Sequence, residues 1–348
     1  MLTLHPDLAG RTLHQLKERL PASDVLAVEI ETAVRRTFPL PPSTSLVGKA
    51  ASFDALGSQL WNIATNILRE DEAPQDPRRQ KADRTRLICI LHTFGFFLID
   101  TAHHTSSKGA KDGDQRIRMF KIALKTCRFC LDKDELELAQ RVFERCSDDV
   151  GAVEEASPVV RLGADQGDDQ RLCLKPLVSE FYLLRMTHAW KSERLDLADH
   201  FASKVQLEDL AASASLAEKA ADLFHETGKA LYRRQLMKPA AQWWNRALSA
   251  LDAVDVEQLT QDGAELRLAI AAGLVDILIV RREEDALKRA WSLTEQLDVR
   301  CGLGNRMVVT LMQLKILLST QPVDSSTLST IISRMIRQGV LTAKTFKM

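Results

Sequence analysis

The sequence predicts an all-α protein, an α-solenoid assembled from αα-hairpins. Apolar residues recur at helical spacing in nearly every segment, and almost none alternates like a strand. Beyond two loops the helices come in pairs. Small residues recur where the two members of a pair must approach closely. The solenoid is expected to curve right-handedly behind an irregular helical N-terminal section.

The elements follow in order. After Pro21, Ser23 or Asp24 caps a helix that sets Leu26, Ile30 and Val34 on one face. Pro39, Pro41 and Pro42 stop it, and 39–45 reads as a linker. Residues 1–50 are therefore a helical section with a Pro-rich linker, and 51–348 the repeat domain. From Ala50 a long helix carries an apolar stripe of Phe53, Leu56, Leu60, Ile63 and Ile67. The charged stretch 70–81, with Pro74 and Pro77, reads as a loop. The helix at 85–102 contains Phe94, Phe96 and Phe97 and is apolar nearly all round, so it should lie buried. Residues 106–114 read as a Gly- and Lys-bearing loop, and 147–170 as a long acidic one.

The pairs share a spacing. Phe224, Gly228 and Leu231 on one helix are followed by Ala240, Trp244 and Ala247 on the next. Two weaker copies read Tyr182, Met186, Ala189, Ala198, Ala202, Val205 and Ile270, Leu274, Ile277, Ala286, Ala290, Leu293. An earlier one reads Ala123, Cys127, Cys130, Ala139, Phe143, Cys146. Small residues stand where two helix backbones nearly touch, and bulky ones fill the space on either side. The pattern resembles the tetratricopeptide repeat. The alanines at 139, 198, 240 and 286 lie further apart than the ~34 residues of a regular array, so the connections are longer. Helices at 303–318 and 325–338 form one further pair. A stretch from Leu341 begins like another helix, with no polar capping helix after it. The expectation is a fragment or truncated gene product.

Composition narrows the function. Lys plus Arg equals Asp plus Glu, 47 each, which argues against the broad positive footprint of direct nucleic-acid binding. No apolar leader follows Met1. The run 269–280 is interrupted by Asp276 and is shorter than the ~20 residues of a membrane span, so no membrane partner is expected. Six scattered cysteines read as reduced thiols of a cytosolic or nuclear protein.

Signals for chemistry are weak beside their structural readings. Cys127 and Cys130 form a C-x-x-C that could be half a zinc site with Cys146, Cys173, His103 or His104, or a redox pair. The favoured reading is packing, because both fall on inward positions of the repeat. His103-His104 reads as a polar helix end, and Asp148-Asp149, Glu154-Glu155 and Asp168-Asp169 as a solvated acidic loop. Arg233-Arg234 and Arg281-Arg282 end successive first helices and complement helix dipoles, or else form an edge that attracts an acidic peptide or DNA backbone. Co-chaperone repeats clamp a C-terminal carboxylate with Lys and Asn. Here those positions hold His225 and Lys229, then Ala271 and Val275, which argues against the clamp. No nucleotide-binding, hydrolase or zinc-protease motif occurs. No catalytic residue, metal, cofactor or small-molecule substrate is expected.

Ala55-Leu56-Gly57 is followed by Leu60-Trp61-Asn62. This resembles the opening helix of the meiotic Zip-four/Spo-twenty-two family, whose members continue as tetratricopeptide-like repeats. Ile336-Arg337, Val340-Leu341-Thr342 and Thr345-Phe346-Lys347 are similar to a family segment that leads into further helices. The resemblance covers about 51–348, and the proline-bearing start is similar in character to fungal members. In place of the family's basic run stands Leu68-Arg69-Glu70-Asp71. The resemblance implies a non-catalytic meiotic scaffold on nuclear chromosomes. It would promote crossover formation and synaptonemal complex assembly through contacts with other crossover factors. The alternative is a general cytoplasmic adaptor for peptide segments. Trp61 and Asn62 are a candidate partner-binding pair. The competing and favoured reading packs Trp61 into the first hairpin and has Asn62 face solvent or bond locally.

Overall fold

A computed structural model describes residues 14, 24–38, 48–70, 78–105, 113–155, 165–281, 284–300, 306–320 and 322–338. Among the described residues there are fourteen α-helices, one 3-10 turn and no strand, so the all-α class holds. The chain divides into two compact units, Met1–Val205 and Gln206–Met348.

The first unit holds α1 (Asp24–Thr37), α2 (Ala50–Glu70), α3 (Arg78–Thr105), α4 (Gly113–Asp132), α5 (Leu136–Glu155), α6 (Asp165–Lys191) and α7 (Leu195–Ala202). Ile30 and Val34 of α1 are fully buried against α3, and Glu31 ties the same pair through Arg86 at 2.9 Å. Phe53 and Leu60 of the α2 stripe enter the core, with Leu56, Ile63 and Ile67 packed against it. The α2–α3 contact is the most extensive in the chain. Gly57 and Gly95 cause it. A Cβ on Gly57 would lie 2.7 Å from the Gly95 carbonyl oxygen, and one on Gly95 would lie 2.9 Å from that of Gly57. The two backbones touch, which only glycine permits.

The central helix α3 is apolar enough over Thr85–Thr105 to cross a membrane, yet 83% of that window is buried in the protein. Buried Thr93, Thr101 and Thr105 satisfy their hydroxyls on the carbonyls of Cys89, Phe97 and Thr101, one turn back. Asp100, also buried, accepts from Arg145 Nε at 2.7 Å and lies 3.2 Å from His104 Nε2.

Three predicted loops shrink. The loop at 70–81 gives way to helix from Arg78, because Arg, Gln and Lys propagate a helix well. Gly113 and Asp114 already belong to α4. The loop at 147–170 is largely the end of α5 and the start of α6. Acidic composition suggested solvent, but Val150 is buried and Ala and Glu sustain the helix. The acidic pairs expected on that loop sit on helices. The linker at 39–45 and the segment from Leu341 lie outside the described residues.

The second unit holds α8 (Leu207–Ala211), α9 (Ala214–Arg233), α10 (Met237–Asp252), α11 (Gln261–Arg281), α12 (Glu284–Arg300), α13 (Arg306–Ser319) and α14 (Ser325–Gln338). Phe224, Gly228 and Leu231 of α9 and Ala240, Trp244 and Ala247 of α10 are all buried at the α9–α10 contact. A Cβ on Gly228 would lie 2.5 Å from Trp244 Cδ1, and one on Gly273 of α11 would lie 2.5 Å from Cζ3. The indole is thus gripped at both ends by glycines of two helices. Its Nε1 donates to the His225 carbonyl at 3.2 Å.

One turn recurs. Asp134, Glu193 and Gln235 are the described non-glycine residues with positive φ, at 59°, 58° and 64°. Each sits in the middle of a three-residue connection, α4–α5, α6–α7 and α9–α10. The next amide in each case reaches back five residues: Glu135 to Cys130, Arg194 to Ala189, Leu236 to Leu231, at 2.9, 2.8 and 3.0 Å. This is the Schellman ending of a helix, used three times in one register.

Gly57→Ala is expected to destabilise the chain. The ~1 kcal/mol gained from helix propensity is outweighed by about 1–3 kcal/mol of overpacking against backbone that cannot yield. Gly151→Ala, where a Cβ meets nothing within 4 Å, should instead stabilise by about 0.5–1 kcal/mol. Urea unfolding of both variants checks the opposite signs. Equal effects would show that the helices do not cross at Gly57.

Candidate functional site

Trp61 and Asn62 lie on neighbouring faces of α2. Trp61 is half-buried and Asn62 is exposed. The indole Nε1 donates to Thr126 Oγ1 of α4 at 3.3 Å, and its ring stands perpendicular to that of His92, centroids 4.7 Å apart. The two residues line one groove. Its walls are Ser58, Trp61 and Asn62 of α2 and Ile117, Arg118, Lys121, Ile122 and Lys125 of α4, and Ile99 of α3 forms its floor. Arg118 closes one end, 3.7 Å from Asp54 and 3.5 Å from Ser58 Oγ. Sequence reasoning missed the basic row. Residues 118, 121 and 125 recur at the spacing of one helix face, which was the available signal.

Behind Trp61, His92 is buried between the rings of Trp61 and Phe129, and its Nδ1 has no hydrogen-bond partner. Burial lowers its pKa to about 4.

The cysteines gather in the core of the first unit. Cys89, Cys127, Cys130 and Cys146 are buried free thiols. A hydrogen bond with Cys130, and then burial, push the Cys89 thiol well up, and burial does the same for Cys127. Cys127 Sγ donates to the Ala139 carbonyl at 3.9 Å. All four pack in the core, and the raised values of Cys89 and Cys127 favour the protonated thiol, which is the less reactive form. His103 and His104 stand in the last turn of α3, by a small cavity that Asp100, Arg116 and Phe120 also line. Among the described residues, no three or more His, Cys, Asp and Glu cluster as metal ligands.

The expected clamp positions are spent locally. His225 stacks on Trp244, Lys229 pairs with Glu226 at 2.8 Å, and Ala271 and Val275 are buried. Arg233 lies in the last turn of α9 with Arg234 as its cap. Arg282 lies outside the described residues.

The second unit has a groove of its own, between α11, α12, α13 and the start of α14. Ile279, Leu287, Trp291 and Ile316 line it, and Leu318 at its edge is 60% exposed. No charged row matches the one on α4. Lys288 and Asp324 are the charged residues lining it.

Residues 188–348 match the family model described as "Meiosis protein SPO22/ZIP4 like". Over these residues the chain is similar to the SPO22/ZIP4-like family. No curated protein and no solved structure matches the chain. The SPO22/ZIP4-like region begins in α6 and takes in the Glu193 turn, the Trp244 grip and the second groove. The Trp61 groove lies ahead of it. The resemblance read from 55–62 therefore concerns residues outside the match.

Stability should fall as pH drops from about 6.5 to about 4. In that window the unfolded chain binds a proton at His92 and the folded chain does not, and linkage then favours unfolding. Burial lowers the pKa of His188 and His225 too, with the same sign. The His92 share is on the order of 3 kcal/mol. His92→Leu should flatten part of the fall in an unfolding series across that range. An unchanged profile would show His92 free to protonate in the native state.

Proposed function

We propose that the chain is a non-catalytic protein–protein scaffold in meiotic recombination, promoting crossover formation and synaptonemal complex assembly. The family match over 188–348 carries this reading, since it ties the chain to meiosis. The paired helices support it, because a stack of hairpins offers extended grooves to several partners at once. We take the recurrent Schellman turns and the buried small residues at 139, 198 and 240 as repeats of the tetratricopeptide type. In that reading Phe224, Gly228, Leu231, Ala240, Trp244 and Ala247 set the packing of one repeat. The partners are other crossover factors, and the site of action is the meiotic chromosome in the nucleus. A general cytoplasmic adaptor would draw on the same hairpins. The family match favours meiosis over it.

Deleting the gene in its source organism separates the two. Crossovers and spore viability should drop several-fold while vegetative growth stays normal. Intact meiosis, or a growth defect in every cell, would reject the scaffold in favour of the adaptor.

A further inference from the structure

We infer that the groove between α2 and α4 docks an acidic segment of a partner protein, with an apolar side chain of that segment seated beside Trp61. The inference rests on the scaffold reading and gives it a surface and a partner chemistry.

Charge is the first argument. Arg118, Lys121 and Lys125 line one wall in a chain of zero net charge. Lys121 and Lys125 are exposed, and among the described residues neither has a carboxylate within ion-pair distance. Arg118 shares only a loose 3.7 Å contact with Asp54, both side chains 44% exposed. Among the described residues, three cations and no carboxylate line the groove. Such a row steers an acidic ligand and fixes its orientation.

Shape is the second. Ile99, Ile117, Ile122 and the half-buried Trp61 give the groove an apolar base beneath that row. Apolar anchoring supplies affinity that exposed charge pairs do not. Asn62 stands exposed on the opposite wall, where its amide can both donate to and accept from an extended backbone.

The same features disfavour nucleic acid. Single-strand grooves stack bases on open aromatic faces and track several phosphates. Among the described residues the groove's one aromatic is Trp61, whose ring packs on His92 and whose N–H is taken by Thr126.

The test uses the full chain and a fluorescein-labelled peptide of alternating Glu pairs and Leu, read by anisotropy. Its probes of comparison are a Gln-for-Glu counterpart and a single-stranded oligonucleotide. The Glu peptide should bind about tenfold more tightly than the Gln form and weaken with salt. Lys121→Glu combined with Lys125→Glu should lose about tenfold in affinity with an unchanged melting temperature, since both side chains are exposed. The inference falls if the double variant binds as the parent does, if Glu and Gln peptides bind alike, or if the oligonucleotide binds best. In meiotic cells, deletion that loses crossovers together with a double-variant allele that restores them fully would defeat the groove and leave the scaffold standing. Deletion without a meiotic effect would defeat the scaffold whatever the peptide does.

Discussion

The fold depends on helices that come closer than ordinary side chains allow. In the first unit the backbones of α2 and α3 meet at Gly57 and Gly95, and everything else on α2 is placed by that contact. It brings Phe53 and Leu60 fully into the core and sets Trp61 within reach of Thr126 on α4. In the second unit the same economy of space serves a large residue. Trp244 fills the volume between α9 and α11 because Gly228 and Gly273 leave it free. A buried indole removes roughly 150–250 Å² from water, on the order of 4–6 kcal/mol. Two helical glycines cost about 2 kcal/mol in propensity. Exchanging that for a well-filled Trp pocket is favourable.

The turns show a second constraint. Asp134, Glu193 and Gln235 each adopt a left-handed backbone that disfavours side chains by about 1–2 kcal/mol. They hold it because each closes a pair of helices in the same register, with two amides returned to the carbonyls of the ending helix. Residues 130, 189 and 231, which accept those bonds, are all buried near the end of the first helix in each pair. Backbone and packing thus repeat together. Chance similarity of side-chain spacing would not reproduce the dihedrals and hydrogen bonds as well.

Much of this was legible in the sequence, for reasons that differ by residue. Gly228 and Trp244 stood out because their spacing across a turn fits two touching helices. Ile30, Val34, Phe53 and Leu60 followed from simple helical periodicity. Gly273 was not legible. Its role depends on a neighbour twenty-nine positions earlier in the chain, and an isolated glycine in an apolar helix carries no mark of what it faces. The acidic stretch after Ser147 misled because composition speaks of solvent while helix propensity speaks of backbone, and α5 satisfies both. His92 could not be read as unpartnered, since its surroundings come from α2 and α4.

The Trp61 groove joins these levels. Gly57 and Gly95 draw α2 onto α3, so α2 and α4 flank α3 with the buried Ile99 between them at the base of the groove. A bulkier crossing would lift α2 and separate Trp61 from Thr126. The groove therefore exists as a consequence of backbone contact, and its rigidity comes from the most extensive helix pair in the chain. Rigid walls matter for recognition, because a ligand that orders nothing on the protein side keeps more of its contact energy as affinity. The positive row adds direction at little cost to the fold. Lys121 and Lys125 are exposed, so their charges stay hydrated until a ligand arrives, and no buried ion has to be compensated in its absence. A groove whose shape is set by glycines and whose charge is left in water can change ligand preference through surface substitutions alone, while the helices beneath it remain in place.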